Sequence, residues 1–75
     1  MFWIVTEVQV MHDGQKAALV FCYDTEEDAL AKYFTIGAAA AKSGLPYHAM
    51  WVIRSDGRMR ECRIFDRRPG VVNDG

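Results

Sequence analysis

Val8-Gln9-Val10-Met11-His12-Asp13-Gly14-Gln15-Lys16-Ala17-Ala18-Leu19 is the stretch on which the fold turns. Apolar-rich runs flank Asp13-Gly14, and Asp-Gly supplies the two positive-φ positions of a type I′ hairpin turn. Outward from it, Phe2 to Met11 alternates and is rich in Val, Ile, Phe and Trp, which is a strand signal, and Lys16 to Tyr23 returns as its partner. The pattern recurs downstream: Tyr47 to Arg54, then Ser55-Asp56-Gly57-Arg58, then Met59 to Phe65. The chain therefore predicts two β-hairpins.

A helix is expected between them. Asp24 or Thr25 caps its start, and Glu26, Glu27 and Asp28 sit in the first turn, where the helix dipole favours acids. It runs to about Lys42-Ser43, where Gly44 suits the left-handed position and Pro46 forbids continuation. Leu30, Tyr33, Phe34, Gly37, Ala40 and Ala41 form one stripe at helical spacing, expected to pack on the sheet. Ile36 and Ala39 lie off that stripe and could serve a helix–helix contact between subunits, though a plain high-propensity helix explains them as well. The expected fold is α+β, ββαββ: a four-stranded, mainly antiparallel sheet of two β-hairpins with one helix packed on one face. It forms a single domain over residues 1–65, followed by a polar tail over 66–75.

With 75 residues, 51% of them hydrophobic and 25% charged, the chain is globular and at most one domain. A domain this short buries only roughly 60% of its unfolded surface and often needs a partner, a metal or disulfides. Cys22 and Cys62 are too few for a disulfide scaffold and lack CxxC spacing, so they read as buried free thiols in a reducing cytosol and not as metal ligands. Self-association is the remaining support. Glu7 interrupts the N-terminal apolar run well short of the ~20 residues of a membrane span, and a cytoplasmic protein is expected. Residues 1–37 carry six acidic and two basic side chains; residues 38–75 carry seven basic and four acidic ones, with six arginines after position 53. Arginine forks match carboxylate or phosphate oxygens, although a solvated hairpin rim and a basic tail explain the run more simply.

Two-residue turns would pair Val10 with Ala17, Val8 with Leu19 and Thr6 with Phe21, and in the second hairpin Trp51 with Cys62 and Ala49 with Ile64. The more apolar set (Phe2, Ile4, Val8, Val10, Leu19, Phe21, Ala49, Trp51, Ile53, Cys62, Ile64) should then lie under the helix. A second face would hold Trp3, Val5, Glu7, Val20, Cys22, His48, Met50, Val52, Glu61, Arg63 and Phe65. That face is too apolar for a solvated surface, which predicts an oligomer or a ligand groove there.

The sequence holds no Gly-rich phosphate loop, no HExxH and no GxSxG. His12 reads as a turn residue; His48 as a hydrogen-bonded structural histidine or a ligand contact. Glu7 and Glu61 form either a carboxylate pair for acid–base work or, more simply, ion pairs with Arg63 or Arg54. Net charge −1 and the lack of a basic stripe argue against extended nucleic acid, whereas a small anion needs only an arginine or two and an aromatic ring.

Several local features are shared with one group of proteins. Tyr23-Asp24-Thr25 with Asp28-Ala29-Leu30, the mid-helix Tyr33, Ala40-Ala41-Lys42-Ser43, His48, and Asp56-Gly57 with Glu61 together resemble short uncharacterised proteins of phages and mobile elements of gut Firmicutes. The resemblance spans most of residues 1–68 and brings no catalytic residues with it. It implies a phage setting, in which small non-structural proteins often inhibit host defence, some as oligomeric sponges for immune nucleotide signals and others by blocking a host protein. The expectation is a non-enzymatic homo-oligomer, without cofactor or metal, that sequesters a nucleotide-like signal in the host cytoplasm. Trp3 and Phe65 would stack on a base, Arg63 and Arg54 would hold phosphate, and His48 with Glu61 or Glu7 would read polar edges. The alternative is an interaction module that inhibits a host factor through the second face.

Overall fold

The structure, a computed structural model, describes residues 1–69. It contains β1 (Trp3–Val10), β2 (Lys16–Tyr23), α1 (Glu26–Lys42), β3 (Tyr47–Arg54) and β4 (Met59–Asp66), so the ββαββ expectation holds. All neighbouring strands are antiparallel, in the order β2-β1-β3-β4. β4 takes in Asp66, the first residue assigned to the tail; residues 70–75 of that tail lie outside the described residues.

The helix ends where its sequence says it should. Thr25, extended at φ −120°, is the cap, and its hydroxyl accepts from the Asp28 amide at 3.2 Å. Ser43 closes the other end and Gly44 takes φ +69°. The buried stripe is Ala29, Tyr33, Ile36 and Ala40, rotated from the expected one: Ile36 is in the core, while Phe34 is 61% exposed.

The hairpin turns differ from expectation. Met11 N donates to Gln15 O and Gly14 N to Met11 O, and the second turn repeats this with Arg54 N to Arg58 O and Gly57 N to Arg54 O. Only Gly14 and Gly57 have positive φ there. Each loop thus has three residues, a type I turn followed by a left-handed glycine, and not the two-residue type I′ form. In the first hairpin this moves every pair by one: Gln9 faces Ala17, Glu7 faces Leu19, Val5 faces Phe21 and Ile4 faces Cys22. In the second, an irregularity at Val52/Ile53 inserts one residue on β4, and the expected pairs Trp51–Cys62, Met50–Arg63 and His48–Phe65 are restored.

A second correction concerns the covered face. The core under α1 consists of Val5, Met50 and Val52 with Ala29, Tyr33, Ile36 and Ala40, edged by Trp3, Phe21, Tyr23, Leu30 and Phe65. The helix therefore lies on the face expected to be open. β2 and β3 both run antiparallel to β1, hence parallel to each other, and α1 crosses from one to the other over β1. Such crossovers are right-handed, and that constraint selects the side regardless of which face is greasier. The bare face carries Ile4, Thr6, Val8, Val10, Ala18, Val20, Cys22, Ala49, Trp51, Ile53, Cys62 and Ile64, with Lys16, Tyr47 and Asp66 along its Val10 end. Val20 is 61% exposed, and the two free cysteines are exposed, not buried.

The two sheet edges contrast. β2 runs Ala17-Ala18-Leu19-Val20-Phe21-Cys22 without a charge or a bulge, whereas β4 carries the irregularity and Arg60, Glu61 and Arg63. Among the described residues no helix is long and apolar enough to cross a membrane.

Candidate functional site

The seven residues singled out from sequence all point to the helix side of the sheet, but they do not form one site. The strand register distributes them over three places.

Trp3 and Arg54 are cross-strand neighbours at one end. Trp3 packs on the core, and its indole N–H and the Arg54 Nε–H are buried without an acceptor among the described residues. The Arg54 fork is turned to Asp56 at 2.5 Å, and that guanidinium, with the Arg58 amide, holds the Asp56 carboxyl below the usual range. Phe65 lies in the Gln9–His48 row, six residues along β1 from Trp3, which at a rise of about 3.3 Å per residue is about 20 Å away. Trp3 and Phe65 cannot stack on the same base. Glu61 pairs with Arg60 (3.2 Å), which also reaches Glu26 (2.7 Å) and ties β4 to the start of α1. Arg63 and Arg54 are not the partners of the two glutamates.

The second place is a buried polar chain. Gln9 faces His48 across β1 and β3, and Glu7 is two residues along, so the Glu7, Gln9 and His48 side chains meet on the covered side. His48 is 2% exposed. Its Nε2 lies 2.6 Å from Glu7 Oε2, which also accepts from Gln9 Nε2 at 3.1 Å. A carboxylate at that distance requires a proton on Nε2, and Nδ1 lies 3.0 Å from the Ser43 hydroxyl, which has one hydrogen to give either to Nδ1 or to Ala40 O. Ser–His–Glu in contact invites a hydrolase reading. However, Ser43 Oγ sits 3.2 Å from Ala40 O at the negative end of α1, the wrong polarity to stabilise an oxyanion. Arg67 crosses the same end and donates to Ala40 O (2.9 Å), Ala41 O and Leu45 O. The chain of bonds thus clamps β1, β3 and the end of the helix together. Ser43 and Gln9 were not singled out from sequence; the tight Gly44-Leu45-Pro46 link between Ser43 and His48 was the available signal.

The third place is a cleft of about 260 Å³ between α1 and β4, lined by Tyr33, Phe34, Gly37, Met50, Arg63 and Phe65. Two of these, Arg63 and Phe65, belong to the sequence-derived set. The helix leans on β3, β1 and β2 more than on β4, and Gly37 leaves its near side bare: a Cβ added there meets nothing within 4 Å. Met50, fully buried, makes the floor. Guanidinium groups of Arg63 and Arg67 each stand 5.1 Å from the Phe65 ring. Burial pushes the Tyr33 phenol up, with Glu61 and Cys62 adding and Arg63 opposing, so the group is a hydrogen-bond donor at neutral pH. Among the described residues no cluster of His, Cys, Asp and Glu is placed to hold a metal ion.

No family model, curated protein or solved structure matches the chain.

Proposed function

We propose that the chain is a non-enzymatic binding protein that works as a homo-oligomer, its subunits stacked through the bare faces of their sheets and each holding a nucleotide-like anion. The observation that carries the assembly is the uncovered face itself: from Ile4 to Val10 and from Ala49 to Ile53 it offers apolar side chains and Thr6, with Trp51 near the centre. Four strands about 4.8 Å apart and eight residues at about 3.3 Å give a footprint of about 500 Å² per subunit. Two such faces remove about 1,000 Å² before side-chain relief is counted, close to the lower bound of a stable pair at about 1,200 Å². The centre of the patch is apolar, and its one charged row holds a lysine and an aspartate, Lys16 and Asp66, so that the face can be self-complementary under a two-fold axis.

The ligand half of the reading rests on the α1/β4 cleft, where an arginine and aromatic rings meet. In the phage setting that the sequence resembles, such a protein sequesters a host signal. Inhibition of a host protein through the same bare face is the competing reading.

Solution mass over a range of concentrations tests the assembly. The expected result is twice the chain mass, falling to a single chain for Trp51→Lys, with Cys22 and Cys62 reacting slowly with a thiol reagent in the assembly and fast in the variant. A wild-type chain that stays single, with both thiols fully reactive, refutes the oligomer and leaves the face to a different protein.

A further inference from the structure

We infer that the α1/β4 cleft is a binding site for a small flat oxyanion, one ring bearing a carboxylate or phosphate group, with Arg63 as its counter-charge. The inference builds on the binding reading above and narrows the ligand. Three observations carry it.

The first is charge. Among the described residues, Arg54 is matched to Asp56, Arg60 to Glu26 and Glu61, Arg68 to Asp66, and Arg67 to the carbonyls at the end of α1. Arg63 has neither a carboxylate nor a carbonyl partner and only covers the Phe65 ring; the guanidinium of Arg58 is also unmatched, but it lies beside the second hairpin turn, away from this cleft. Its fork stands at the mouth of a cleft with free donors, the geometry that takes a carboxylate or a phosphate in two bonds.

The second is Gly37. It stands inside the helix, directly before four alanines (Ala38 to Ala41), and no neighbour demands a glycine, since an added Cβ touches nothing. Its effect is to leave room between the helix and β4.

The third is shape and size. Phe34 and the bare Gly37 backbone form one wall and Phe65 the other, above a buried Met50, so that the two rings offer a surface suited to an aromatic edge or face. At about 260 Å³ the cleft is below the range of drug-sized pockets, about 300–1,000 Å³, so one protomer holds a single ring and not a dinucleotide. Tyr33 also lines the cleft, and burial keeps its phenol protonated at neutral pH.

The test uses the full chain, labelled with nitrogen-15, titrated separately with benzoate, phenyl phosphate, inorganic phosphate and a cyclic dinucleotide. Expected are saturable shifts at the Gly37 amide and Arg63 Nε–H with a ring-bearing anion; benzoate and phenyl phosphate distinguish carboxylate from phosphate, and phosphate alone shows whether the ring is needed. Gly37→Leu should fill the cleft and abolish those shifts without lowering the melting temperature. Arg63→Gln should weaken binding at least about tenfold and remove its salt dependence. The inference is overturned if no single-ring anion shifts Gly37 and Arg63, or if Gly37→Leu binds as well as the parent. A cyclic dinucleotide that shifts Trp3 and Arg54 and leaves the cleft untouched would also sink it, while sparing the broader binding reading. Solution mass, recorded on the same samples, reports the oligomer independently.

Discussion

Removing the Glu7 carboxylate strands a histidine. His48 is sealed between strands and helix end, and in Glu7→Leu its Nε2–H faces a methyl group. Leaving a buried donor unmatched costs about 1–3 kcal/mol, and more when the lost partner was charged. Glu7→Leu should therefore lower unfolding free energy by about 2–3 kcal/mol in a urea titration, whereas Glu7→Leu combined with His48→Leu should recover much of that loss. Additive losses would show that the contact is not coupled. The carboxylates at the rim behave differently. Asp56 and Asp66 are held below their usual range chiefly by hydrogen bonds from Arg54 and Arg68. A depressed folded value stabilises the fold above the unfolded value and is lost as pH falls through the folded one, so their contribution disappears below about pH 4. Melting temperature followed from pH 6 to pH 2 should show a shallower acid decline for Asp56→Asn than for the parent chain.

The elements themselves were legible in the sequence, and the reasons are local. Thr25, the three acids after it and Gly44 bound α1 by capping chemistry alone, and two Asp-Gly pairs bound the four strands. Register was not legible, because Asp-Gly fits a three-residue type I loop as well as a two-residue type I′ loop. The difference lies in whether Asp13 or only Gly14 takes positive φ. That single dihedral transfers Leu19 and Phe21 from one side of the sheet to the other. Two glycine variants test the account. Gly14→Ala forces a side chain into the left-handed region (φ +87°) and should cost about 1–2 kcal/mol. Gly37→Ala, in a helix with open space around it, should instead stabilise by about 0.5–1 kcal/mol. Denaturant midpoints moving in opposite directions would verify both.

At the level of the whole molecule, local pattern could not reveal which side the helix takes. Counting apolar residues favours the Trp51 side, and the chirality of the strand–helix–strand path overrides it. The candidate site was visible only in part for the same reason. Arg63 and Phe65 stand out as arginine and aromatic, but Gly37 and Tyr33 join them only once the helix is set down on that side. Ser43 reaches His48 only because the helix stops above it.

The plain outer margin of β2 carries a hazard of its own. Along Ala17 to Cys22 every second residue turns an unpaired amide and carbonyl outward, with no charge, proline or kink in the run to turn away an incoming strand. Any chain in extended form can add itself there, and a row of copies adding in turn would grow as a ribbon. Leu19, 51% exposed and on the helix side, offers a way to block this without disturbing the opposite surface. Leu19→Lys should lengthen the lag before thioflavin-positive fibres form in concentrated, agitated samples. An unchanged lag would mean that growth starts elsewhere in the chain.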